Sequence, residues 1–126
     1  MKASELRIGN WIYNNKYVQV TSKMIDLFNN ELYDLLPIPL TEEWLVKFGL
    51  EGHDYTCPEY GTVFKNEEFT LDLDEYSQLV IQTDFSFGIS DLRGNDNVAF
   101  SNDILDSVHK LQNLYFALTG EELKIK

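Results

Sequence analysis

A single cysteine, Cys57, stands in this chain, so no internal disulfide can form and stability must come from burial. One lone thiol fits a reducing compartment. Basic residues are also scarce: ten Lys and Arg face 21 Asp and Glu, a net charge of -11. Such a chain repels phosphate backbones and anionic lipid surfaces, which disfavours direct binding to nucleic acid or membrane. Long apolar runs are missing as well. Nothing approaches the roughly 18 residues of a membrane span, and the opening MKASELRIGN has no apolar signal core, so a cytoplasmic location is expected. The glycines match neither a phosphate-cradling loop nor a dinucleotide fingerprint.

What is present describes a globular chain. A hydrophobic fraction of 44% and an aromatic fraction of 13% over 126 residues are enough to build a core without staples. The expected fold class is α+β, a single domain over residues 1–126.

Residues 1–36 read as a β-meander. Leu6–Tyr13 and Lys16–Thr21 are strand-like, and Asn14-Asn15 supplies residues that tolerate the positive φ of a tight hairpin. Met24–Phe28 and Glu31–Leu36 read as two further strands about Asn29-Asn30, the pattern of an SH3-like half-barrel. Pro37 and Pro39 then interrupt pairing, because neither can donate to a ladder. A short helix is expected over 41–49, with Thr41 as N-cap, Trp44, Leu45 and Phe48 as its buried stripe, and Gly49 closing it.

Residues 53–100 read as strands and turns. Glu68–Asp74 alternates strictly, Phe69, Leu71 and Leu73 against Glu68, Thr70, Asp72 and Asp74. Leu79, Ile81, Phe85, Phe87 and Ile89 continue one apolar register, and Arg93–Asn97 reads as a turn. The clearest helix lies over 102–119, with Ser101 as N-cap and Gly120 as terminator. Its apolar positions recur at three- and four-residue steps, so it is expected to pack on the antiparallel sheet.

Sites of chemistry are hard to find. His53, Asp54 and Cys57 are the one close set of metal-ligating types, and a structural zinc needs four ligands. The other histidine, His109, falls beside the most apolar line of its helix and reads as a polar-flank residue. No metal, cofactor or catalytic residue is expected, and the protein reads as a non-enzyme. An enzyme would need Cys57 brought together with His53 or His109. The feature with functional content is acidic: Glu67, Glu68, Asp72, Asp74 and Glu75 put five carboxylates within nine residues. A regular row of negative charge suits a basic, nucleic-acid-binding surface of another protein. Tyr55 and Tyr60 are candidate aromatic anchors at its rim.

Three segments carry a resemblance: RIGN at Arg7–Asn10, PIPLTEEWLVKFGL at Pro37–Leu50, and VHKLQNLYFALTGEEL at Val108–Leu123. They resemble a group of short, uncharacterised proteins of bacteria and their phages or prophages. That group supplies no catalytic residues to carry over. The resemblance implies a phage-linked context, in which small acidic proteins act as inhibitors of host defence enzymes, an anti-CRISPR protein on its effector being one example. The leading expectation is therefore an inhibitor whose acidic face engages a host protein, such as a CRISPR effector. The alternative is a structural or adaptor module of phage particles or replication machinery, using the N-terminal meander as its contact surface.

Overall fold

The structure is a computed structural model. It describes residues 1–91 and 95–126, and all of their side chains except those of residues 66 and 95–103. The fold is mixed α+β, with helices and two separate antiparallel sheets. The chain gathers into two compact units, one of residues 1–40 and 106–123, the other of residues 41–105 and 124–126.

The first unit opens with a 3₁₀ turn, Ala3–Glu5, followed by a hairpin of β1 (Trp11–Tyr13) and β2 (Tyr17–Gln19). Ile12 pairs with Val18, and the loop is closed by Asn15 at φ 60°. Asparagine tolerates that left-handed conformation because its short polar side chain bonds locally.

The expected four-strand meander stops there. Ser22–Asn29 forms a helix, α1, instead of a third strand. Thr21 caps it by accepting a hydrogen bond from the Met24 amide at 3.3 Å. Met24, Ile25 and Phe28 pack against a buried cluster of Leu6, Ile12, Val20 and Leu35. Positions 24, 25 and 28 share a face at helical spacing, whereas an extended strand would send Met24 and Ile25 to opposite sides. Glu31–Leu36 contributes only an isolated bridge between Leu36 and Tyr13, so the half-barrel does not form.

The C-terminal helix, α3, runs Val108–Thr119 rather than from 102, with Ser107 as its N-cap. At about 1.5 Å per residue its 12 residues span about 18 Å. Gly120 ends it as expected, at φ 75°, with its amide donating to the Phe116 carbonyl at 2.7 Å. Before α3, Pro39 bridges Ser107; the missing proline donor costs nothing because Leu40 and Val108 donate on either side, to Asp106 and Ile38.

α3 packs against β1 through polar groups as well as apolar ones. Gln112, fully buried, accepts from the Trp11 amide at 2.7 Å and donates to the Gly9 carbonyl at 3.2 Å. Asn113 accepts from Asn10 at 3.0 Å and donates to the Glu5 carbonyl at 2.7 Å. Arg7 pairs with Glu122 and lies 3.8 Å from the centre of the Phe116 ring.

His109 also corrects an expectation. It is 1% exposed, on the face with Val108, Leu111 and Gln112, not on a polar flank. Once the helix begins at 108, residues 108, 109, 111 and 112 form its inner arc. Neither ring nitrogen has a hydrogen-bond partner among the described residues, and Nε2 lies 4.0 Å from Glu5 Oε1. Burial pushes the His109 pKa down, with Glu5 opposing that shift.

The second unit begins with α2 (Glu42–Lys47), capped by Thr41 and closed at Gly49, φ 87°. Trp44, Leu45 and Phe48 are buried as expected, the two aromatic rings 5.8 Å apart. A five-stranded antiparallel sheet follows in sequence order: β3 (Glu51–Thr56), β4 (Val63–Asp72), β5 (Ser77–Gln82), β6 (Ser86–Asp91) and β7 (Asn95–Ile104). Leu79 pairs with Leu71 and Ile89, and Ile81 with Phe69 and Phe87, so one face carries the apolar register read from the sequence. Burying each such side chain contributes about 1.5–3 kcal/mol.

Three boundaries in this unit moved. Phe85 sits at φ 64°, and its amide donates to the Gln82 carbonyl, so it turns the chain ahead of β6 instead of joining the strand. Residues 95–104 pair with β6, which removes Ser101 and residues 102–104 from the expected helix. Of the turn read over Arg93–Asn97, residues 93 and 94 lie outside the described residues and Asn95 already belongs to β7.

Candidate functional site

The acidic stretch lies on β4 and the turn after it. Regular alternation would send Glu67 and Glu68 to opposite faces. A register shift prevents that: His53 pairs with Glu68 but Tyr55 pairs with Phe64, so residues 65 to 67 of β4 stand opposite Asp54 alone. A bulge of this kind bends the strand and re-aims its side chains. As a result Glu67 and Glu68 together line a concavity of about 280 Å³ with His53, Asp54, Tyr55 and Gln82.

Each wall is held from below. The His53 ring meets the Thr70 hydroxyl at 2.8 Å. The Tyr55 ring stacks on Phe64 at 6.2 Å between centroids. Lys65 donates to Asp54 at 3.1 Å and offsets part of the negative charge. Three carboxylates against one ammonium leave the depression acidic.

The other acidic positions lie elsewhere. β4 ends at Asp72, which accepts from the Gln78 side chain at 2.8 Å. Glu68 and Asp72 are about 13 Å apart along the strand, from four residues at about 3.3 Å each. Asp74 has left the strand. Its Oδ1 accepts from the Tyr76 amide at 2.7 Å and from the Ser77 amide and hydroxyl, each at 2.9 Å, an Asx turn that closes the β4–β5 hairpin. Glu75 is exposed at the tip of that turn. The continuous five-carboxylate row is therefore two groups, because the hairpin turn takes Asp74 and Glu75 off the strand face. Tyr60 lies in the β3–β4 loop and is 81% exposed.

Of the seven residues singled out from sequence, Tyr55, Glu67 and Glu68 meet in one depression. Asp54 and Gln82 join them there, and Phe64 supports the tyrosine. Asp54 drew notice only as part of a metal-ligand pattern. Its place opposite Glu67 depends on a bulge that leaves no mark in the residue types.

Cys57 sits just past β3, its amide donating to Thr62 and its carbonyl accepting from Gly61, in a turn that closes the β3–β4 loop. Along the chain it is about 13 Å from His53, whose Nε2 is engaged by Thr70. Among the described residues, no group of three or more His, Cys, Asp or Glu side chains is placed to hold a metal ion. No helix among them is long and apolar enough to cross a membrane.

Comparison with protein-family profiles, curated proteins and solved structures gives no significant match.

Proposed function

We propose that the protein acts without catalysis, by binding another protein through the acidic depression between β3, β4 and β5. The observation that carries this reading is the convergence of Asp54, Glu67 and Glu68 beside the stacked Tyr55 and Phe64. Carboxylates flanked by an aromatic platform suit lysine and arginine side chains, which pair with the acids and lay their stems on the ring. The partner is a host protein whose basic surface handles nucleic acid, and occupying that surface would inhibit it. A phage or prophage inhibitor of a defence enzyme, in the manner of an anti-CRISPR protein, works in this way.

Affinity capture from nuclease-treated bacterial lysate tests the proposal, with Glu67→Lys/Glu68→Lys as the comparison. A nucleic-acid-handling enzyme enriched by the wild type and lost with the double variant supports it. Association should also slow as salt rises. Recovery of the same partner by both forms would refute the acidic depression as the contact.

A second reading has its own observation. In the first unit Tyr13, Tyr17, Leu32, Tyr33 and Leu36 are all exposed, and all but Tyr17 line a concavity of about 330 Å³ with Asn14, Asn15 and Asp34. An apolar, aromatic patch of this type favours a structural or adaptor role in phage particles or replication machinery. Capture of phage structural proteins, lost on Tyr33→Ser/Leu36→Ser, would select it.

A further inference from the structure

β3 is an edge strand. It pairs with β4 on one side, no strand among the described residues lies on the other, and all six of its residues are exposed. In an antiparallel sheet alternate residues direct their amides and carbonyls to opposite sides, so about three residues of β3 direct theirs outward. An edge of that kind is a template for another strand unless charge or a bulge blunts it. β3 carries the charge, Glu51 and Asp54, while the extra residues of the register shift belong to β4, residues 65 to 67 standing opposite Asp54 on the inner side.

The charge selects what can be added. A second copy of this chain would bring its own Glu51 and Asp54 against the first pair, and like charges placed opposite each other on neighbouring strands are destabilising. A nucleic acid would bring phosphates to the same carboxylates. A basic, extended peptide meets neither penalty. Its alternate side chains, about 6.6–7 Å apart, would fall on one face of the sheet next to Glu51 and His53, with Glu68 and the acidic depression one strand further in.

We propose that β3 is the docking edge for an extended segment of the partner protein bearing lysine or arginine at every second position, which joins the sheet as a sixth strand. The inference rests on the acidic-face reading above and adds the binding mode: main-chain hydrogen bonds supply affinity, and the carboxylates choose the side chains.

Two synthetic octapeptides of alternating lysine and valine test it, one plain and one N-methylated at its four central nitrogens. Methylation removes the strand-forming donors and keeps the charge. Each is titrated at low ionic strength into the isotope-labelled full chain, with affinity and amide hydrogen exchange followed by NMR. The expected result is exchange slowed at least about tenfold at alternate β3 amides by the plain peptide, which binds about tenfold or more tightly than the methylated one. Equal affinities without β3 protection would overturn strand addition and leave acidic-face binding standing. Failure of both peptides to bind would overturn the acidic-face reading and strand addition together.

Discussion

Replacing Asp74 should destabilise the protein even though the residue is exposed and its spacing groups it with the outward-facing acidic row. Its Oδ1 accepts three hydrogen bonds, from the Tyr76 amide at 2.7 Å and the Ser77 amide and hydroxyl at 2.9 Å. The geometry is that of a helix N-cap transplanted to a hairpin turn, and removing such a side chain costs about 1–2 kcal/mol. For a chain of this length that corresponds to a fall in Tm of about 4–8 °C. Asp74→Asn keeps the carbonyl acceptor and should lose less than half as much. Asp72→Ala, which gives up one exposed side-chain bond to Gln78, should cost about 0.5 kcal/mol or less. Urea and thermal unfolding of the three variants against the wild type measure all of these. If Asp74→Ala unfolds with Asp72→Ala, the turn does not depend on its aspartate and the argument fails. The same reasoning separates binding from folding: Asp74 substitutions disturb the hairpin, so charge changes meant to probe partner binding belong at Glu67 and Glu68.

His109 should make stability depend on pH below neutrality. Burial holds its folded pKa below the unfolded value of about 6.5, so the unfolded chain takes the proton first and stability falls as pH drops through that value. Desolvation is the largest influence, and together with Lys110 and the chain's amino terminus it outweighs Glu5 and Asp106, which favour the charged ring. Urea midpoints at pH 5 and 7 should differ less in His109→Gln than in the wild type; equal differences would mean that the ring does not titrate in this window. The Glu5 and Asp106 carboxyls are held below their ordinary values, by the Lys2 amide and by Lys110 respectively. Their stabilisation is present above about pH 4–5 and is lost only as pH falls through the lower folded values. At the first hairpin, Asn15 holds φ 60°, so Asn15→Gly should be neutral or slightly stabilising. Asn15→Val should cost about 1–2 kcal/mol in thermal unfolding, and a tolerated valine would refute the left-handed turn.

Local signals carried the elements whose formation depends on neighbouring residues. Thr41 followed by Glu42 and Glu43, with Gly49 eight residues after Thr41, encodes α2, because a cap, a dipole and a left-handed stop all act within a few turns. The alternation of Leu79, Ile81, Phe87 and Ile89 encodes two paired strands for the same reason. Gly120 marks the end of α3, and Asn15 the first turn.

Long-range pairing settled the rest. SNDI at residues 101–104 can begin a helix or finish a strand, and its ladder with β6 chose the strand, moving the start of α3 to Val108 and turning His109 inward. Met24, Ile25 and Phe28 became a helix because that conformation presents all three to Leu6, Ile12, Val20 and Leu35, residues drawn from both sides of the helix in the chain. The acidic site divides along the same line. Its net charge and residue types were legible from composition, but the meeting of Glu67 with Glu68 and Asp54 follows from a bulge between two strands. A bulge belongs to a pair of strands, so neither strand's residue pattern contains it.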